Sequence, residues 1–464
     1  MKYNIFSLPL LMPALLSITL TVSCKKDNKQ DIQSNRVVSA GGPSGPAGAC
    51  GETTLTGVIT QNTTLKSCMI YKLSGIVYVA NNAVLTIEPG TLIKGIKSTT
   101  PGNQGGGLVI TQGAQIIAEG TVTDPIVFTS YEATPASGDW AGVTIVGKAP
   151  TNYPAPVLPP GIGSAIVPGV TFGGAGNNIP NDNSGMLKYI RIEYAGYELS
   201  TDNSMSGLIL AGVGRGTLLD YIEIYKSKGD AFSFLGGTVN ASHLLAIDPL
   251  DELFVTTRGY TGTLNFALGV MDIGRADKSR SNGIESDNAP GGSPLLPNTH
   301  PVYNYFTIVG LPNQSAASIT NGIPSGIGRY GHAAYLKNNT EFDINKSIFL
   351  GFNYGIVLSS TTPLTGPNTK TKYDNGISTL TNNFVHAYIA PYVEETATGL
   401  IPFIPMPGNI GYTTPAPNTD LLLANPYGST RSISNFIPTP LSPAKTAGAF
   451  PTGNITWANG WTRL

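Results

Sequence analysis

The most constraining feature of the chain is a block that occurs twice near its start. The first copy runs Val77-Tyr-Val-Ala-Asn-Asn-Ala-Val-Leu-Thr-Ile-Glu-Pro-Gly-Thr91, the second Leu108-Val-Ile-Thr-Gln-Gly-Ala-Gln-Ile-Ile-Ala-Glu-Gly-Thr121. Each reads as apolar strand, polar corner, apolar strand and glycine-containing corner. Strands this short bury their apolar faces only by stacking on the next copy, which is the signature of a β-solenoid. Composition agrees. Charged residues make up 12% of the chain, about half the usual ~25%. The 56 glycines and 35 prolines supply corners. No heptad or long amphipathic helix is present, so an all-β chain is expected.

The N-terminus reads as an export signal. Lys2 is followed by an apolar run, Ile5 to Val22, broken by Pro9 and Pro13 and too interrupted for a comfortable membrane span. Its end, Leu20-Thr-Val-Ser-Cys24, resembles a bacterial lipoprotein signal. That resemblance implies removal of residues 1–23 and acylation of Cys24, with each buried methylene adding about 0.8 kcal/mol to the anchor. Residues 24–50 then form the lipidated cysteine and a flexible tether, with linker composition at Gly41-Gly-Pro-Ser-Gly-Pro-Ala-Gly48. Cys50 and Cys68 remain, and in an oxidising compartment they read as one disulfide. The bridge would constrain the unfolded chain by roughly 3 kcal/mol. Two thiols with no nearby His or Cys do not complete a zinc shell. The formal net charge of −1, with no basic run longer than Lys25-Lys26, argues against a nucleic-acid partner.

Beyond residue 51, short strands alternate with turns to the end of the chain. Residues 149–185 are too rich in Pro and Gly for regular sheet. Further insertions are expected at 276–300, 310–328 and 360–376, where a solenoid often carries its binding surface. In Leu187–Tyr194, Ile190, Ile192 and Tyr194 are expected in the core, and Tyr189, Arg191 and Glu193 in water. The aromatic tail, Leu441–Phe450 and Trp457–Thr462, reads as a terminal coil and cap over the last rung.

Several segments together resemble a known family. Leu85-Thr-Ile-Glu-Pro-Gly-Thr-Leu-Ile-Lys-Gly95, Pro125-Ile-Val-Phe-Thr-Ser130, Gly138-Asp-Trp-Ala-Gly142, Leu187-Lys-Tyr-Ile-Arg-Ile-Glu-Tyr-Ala-Gly196 and Phe234-Leu-Gly-Gly-Thr-Val-Asn-Ala241 are similar to the right-handed parallel β-helix lipoproteins of Bacteroidetes-type bacteria. The similarity covers nearly all of 51–464. It implies a single right-handed parallel β-helix with loop insertions, at the outer membrane, in a family with no assigned reaction. Relatives tend to carry more aspartates than stand here in Asp248-Pro-Leu-Asp-Glu-Leu-Phe-Val-Thr-Thr-Arg258.

Candidate chemistry concentrates between 230 and 290: Asp230, Asp248, Asp251, Glu252, Asp272, Asp277, Glu285 and Asp287, with Arg258, Arg275 and Arg280 among them. Carboxylates on successive coils stand about 4.8 Å apart. They read first as solvated turn carboxylates and surface ion pairs, then as a Ca²⁺ site, since Ca²⁺ takes six to eight oxygens, and last as an acid and base for glycoside hydrolysis. No lyase motif is reproduced. His243, His300, His332 and His386 lack metal-site spacing; His243 reads as packed, His332 as a surface candidate. Gly212-Val-Gly-Arg-Gly216 reads as corner glycines rather than a phosphate loop. Tyr194, Tyr197, Tyr221 and Tyr225 read as rung stacking before a sugar platform. The leading expectation is a membrane-anchored, non-enzymatic β-helix that binds a glycan or an envelope protein; a carbohydrate-active enzyme and a structural stalk are the alternatives.

Overall fold

Val77, Val79, Leu85 and Ile87 of the first repeat and Leu108, Ile110, Ile116 and Ala118 of the second enter one buried core. The copies lie one coil apart and in register, Val77 against Leu108 and Leu85 against Ile116, with parallel pairing. The computed structural model describes residues 50–464 except 101–104, 165, 201–202 and 362–366. Cys24 and the tether therefore lie outside the described residues. The solenoid is a right-handed parallel β-helix, as the repeat and the family blocks led one to expect.

Three sheets run its length. The first begins Gly51–Leu55, Met69–Leu73, Leu92–Gly95 and Ile126–Ser130 and continues through residues 190–193, 222–225, 244–247, 267–270, 306–309 and 348–350. The second stacks Ile76–Val79, Gly107–Ile110, Gly142–Val146, Leu208–Ala211, Phe232–Leu235, Phe254–Thr257, Ile284–Ser286 and His332–Leu336. The third carries Val84–Ile87, Gln115–Glu119 and then residues 185–188, 218–220, 241–242, 263–265, 302–304 and 343–345. From Gly185 to Val309 one bent strand per coil serves the third and first sheets together.

The bend has a residue-level cause. Tyr189, Tyr221, His243, Phe266 and Tyr305 all sit at φ between 52° and 59°. Left-handed backbone at a non-glycine residue costs about 1–2 kcal/mol. Here it stacks the rings coil upon coil, at 4.4 Å for Tyr189–Tyr221 and Tyr221–His243, 5.4 Å for His243–Phe266 and 5.0 Å for Phe266–Tyr305. Beside them on the third sheet, Asn304 Nδ2 donates to Asn265 and Asn345 Nδ2 to Asn304 at 2.9 and 3.0 Å.

Two outer faces are covered. The 149–185 excursion lays Ile162, Val170 and Phe172 on the early second sheet, against Val109, Val146, Ile209 and Ala211. The tail covers the first sheet. Rather than closing the solenoid as a terminal coil, it doubles back along the side, where Phe436, Phe450 and Trp461 pack on Leu245, Leu268, Val309 and Ile348. This corrects the expected exposure of the Leu187–Tyr194 strand. Ile190 and Ile192 are core, but Tyr194 lies outside it at φ 60° under the tail, and Glu193 is 0% exposed. Period-two alternation reports two faces; it does not report that a distant segment roofs the polar one. At the first rung, the Cys50 N–H donates to the Cys68 carbonyl just before Gly51 pairs with Met69, so the two cysteines are neighbours.

Candidate functional site: a carboxylate patch on the second sheet

Beyond the excursion, the outer face of the second sheet bears polar side chains in columns. Phe232 pairs with Phe254, Phe254 with Ile284, and Ile284 with Ala334. The register continues to Ala231 N–H on Glu252 O, Leu253 N–H on Asn282 O and Gly283 N–H on His332 O. Asp230, Glu252, Asn282 and His332 thus stand at one position on four successive coils. Glu285 and Tyr335 form a second column, and Asp287 and Lys337 follow one step beyond the paired Ser286 and Leu336.

Ligand oxygens of Asp230, Asp251 and Glu252 lie within 4.8 Å of one another. Ser206 and Ser233 donate to Asp230 Oδ2 at 3.0 and 2.6 Å. Asn282 Nδ2 reaches Glu252 at 3.0 Å and Glu285 at 3.1 Å, while Lys337 Nζ pairs with Glu285 at 2.8 Å. Ser279 Oγ donates to Asp251 at 3.2 Å. Burial pushes all four carboxyls up. At Asp230, hydrogen bonds from Ser233, Glu252 and Ser206 oppose it. At Asp251 the neighbouring Asp230 charge adds to burial, and at Glu252 the charge of Asp251 does; both are held well above the carboxylate range. Lys337 partly offsets burial at Glu285. Like charges this close favour holding a proton or a cation between them.

The eight acids singled out in the sequence therefore divide. Asp230, Asp251 and Glu252 cluster, Glu285 joins them through Asn282, and Asp287 accepts from Thr257 Oγ1 farther along the face. Asp248 and Asp272 lie elsewhere, lining a cavity of about 450 Å³ under the tail, where Arg431 grips Asp248 at 2.6 and 2.7 Å. Asp277 is in the 271–283 loop, accepting from Ser279. Arg258 does not face the cluster: its guanidinium lies 4.4 Å from the Tyr153 ring. Arg275 donates to Ser137 Oγ at 3.0 Å. The loops of 271–283 and 310–331 stack beside the patch through the Arg275–Ile323 and Ser281–Tyr330 bridges.

His332 is a correction, since it is 5% exposed and not a surface residue. Burial, together with Arg280 and Lys337, pushes its imidazole down to about 3, so the ring is neutral. Its edge contacts are Tyr335 and Tyr354 at 5.2 and 5.8 Å. His243 is packed as expected, stacked in the aromatic column with Nδ1 2.7 Å from Asp220. Tyr221 stacks in that column and Tyr194 meets Tyr225 edge-on beneath the tail, so these tyrosines form no open platform. Asn282, Ser206, Ser233 and Lys337 were not legible as site residues, because each joins the patch through register and not through a motif.

The fold and patch define a right-handed parallel β-helix with a cluster of acids on the outer face of its second sheet. The family model of the pectate-lyase-like β-helix domain matches residues 57–403, and the chain belongs to that family. Searches of the curated proteins and of the solved structures gave no match. Among the described residues, no helix is long and apolar enough to cross a membrane.

Proposed function

We propose that the protein is an envelope lipoprotein, held at the outer membrane through Cys24, whose β-helix binds a glycan along the outer face of the second sheet with a divalent cation, Ca²⁺ first, at Asp230, Asp251 and Glu252. The carrying observation is the convergence of their oxygens within 4.8 Å on the outer face of the second sheet, away from the apolar clusters of the 149–185 excursion and of the tail. Membership of the pectate-lyase-like family supports a carbohydrate ligand. A Cys50–Cys68 bridge would pin the first rung, and its formation is checked by mass under non-reducing conditions.

Calorimetry with CaCl₂, then with acidic and neutral glycans, tests the reading. The expected result is saturable Ca²⁺ heat that disappears in Glu252→Gln, and glycan binding that depends on the cation. No heat and no shift in melting temperature removes the cation; no glycan hits leaves an envelope protein as partner or a spacer role. One observation favours a second reading, a carbohydrate-active enzyme. Glu252 and Glu285 share the Asn282 amide, and burial raises both carboxyls, as a general acid requires. New reducing ends or unsaturated products from uronate polymers would establish it.

A further inference from the structure

Among the described residues, no strand pairing joins 413–464 to the coils; the one bridge there, Leu423 to Pro438, is internal. The segment is held by side chains and a few hydrogen bonds. Gly448 N–H donates to Lys346 O at 2.8 Å and Ala449 N–H to Thr307 Oγ1 at 2.9 Å. At Gly448, φ is +75° and a Cβ would stand 2.5 Å from Thr307 Oγ1, so only glycine lies this close to the sheet. Near its end, Arg463 Nη1 meets Glu193 Oε2 at 2.9 Å, its Nη2 meets Tyr194 Oη at 3.0 Å, and its backbone N–H meets Glu223 Oε2 at 2.8 Å. Both glutamates are 0% exposed on the outer face of the first sheet.

We propose that residues 441–464 are a releasable strap, seated on the Tyr194, Tyr225, Leu245 and Leu268 face and latched where Arg463 meets Glu193 and Glu223. The strap's own buried side chains are the small Ala444, Ala447, Ala449 and Ala458 and the large Phe450 and Trp461. Opening the strap breaks no β-ladder, so its closure rests on this burial and on the Arg463 latch. The charged groups around Glu223 are Arg191 and Glu193 on the neighbouring strand and Arg463 on the strap. Burial, outweighing the two arginines, pushes Glu223 up to about 8. A carboxyl raised in the closed form favours closure at low pH and loses that contribution as pH rises through its closed-state value. The strap is therefore tightest in acid and loosens in mild alkali.

Hydrogen–deuterium exchange on the full chain, corrected for intrinsic rates, tests this. Wild-type amides of 457–464 exchange faster than those of 190–193, and gain about tenfold between roughly pH 7 and pH 9. Glu223→Gln, shaped like the protonated acid, abolishes that gain, and Arg463→Ala opens the strap already near pH 7. Acrylamide quenching follows the same order, because Trp457 and Trp461 ride on the strap while Trp140 is core. Strap amides that exchange only together with the sheet, a gain that survives in Glu223→Gln, or an unchanged strap in a folded Arg463→Ala overturns the proposal. The wild-type and Glu223→Gln arms stand even if Arg463→Ala does not fold.

Discussion

Asn282 is the hinge of the carboxylate patch. Its Nδ2 lies 3.0 Å from Glu252, 3.1 Å from Glu285 and 3.0 Å from the Arg280 carbonyl, and its Oδ1 accepts from His332 N–H at 2.8 Å. An amide has two N–H bonds for these three acceptors, so a retained carboxyl proton or a cation completes the set. Glu252→Gln removes the cost of holding a proton on a buried carboxyl beside Asp230 and Asp251. Without added cation it should raise stability near neutral pH by about 1 kcal/mol. These raised carboxyls favour folding in acid and lose that contribution as pH rises, so the gain should shrink toward pH 4; melting curves from acid to neutral measure it. The opposite sign holds at His300. Hydrogen bonds from its ring to Asp343 at 3.1 Å and contact with Glu341 at 3.2 Å raise it to about 9. Its contribution is complete below about 6.5 and is lost as pH rises through about 9. The paired Glu341, down to about 2 through His300 and Lys372 against the pull of burial, contributes above about 4.5 and loses that contribution as pH falls from there through about 2. His300→Ala should lower stability by about 2 kcal/mol near neutral pH and flatten the alkaline fall in melting temperature.

At the scale of elements, the bent strands depend on rings that offset left-handed backbone. Tyr221 stacks on Tyr189 and His243, both at 4.4 Å and within 13° of parallel. Aromatic pairs add about 0.5–1.5 kcal/mol each beyond burial. Tyr221→Ala loses both contacts and keeps the unfavourable φ of 54°, so it should cost about 2–3 kcal/mol in chemical denaturation. The smaller His243→Phe change keeps the stack, and its loss should be limited to the Asp220 hydrogen bond.

At the scale of the whole molecule, two long segments decide which faces meet water. Tyr153 and Gly174 are hydrogen-bonded to each other at 3.0 Å, so a short Gly-Ser link can replace 154–173 without straining the coils. That change uncovers Val109, Val146, Ile209 and Ala211. The shortened chain should keep its β circular dichroism, bind a hydrophobic dye and self-associate on gel filtration, because a continuous apolar patch of this kind seeks a partner. Retention of a monomer with no dye binding would show that the excursion is not needed as a cover.

The sequence by itself determined the solenoid. Val77/Leu108 and Leu85/Ile116 announce both the coil and its register, because a repeat buries its apolar residues only at matching heights. It also located the acids, since Asp230, Asp251 and Glu252 stand out in a chain poor in charge. Tertiary structure alone decided which acids act together. Stacking brings Asn282, Ser206 and Ser233 to them across separate coils, and sends Asp248 to Arg431 instead. It likewise decided the fate of the tail. Trp457, Trp461 and Arg463 carry no signal of where they dock, because their partners, from Tyr189 to His243, are distant in sequence and become a surface only once the coils have stacked.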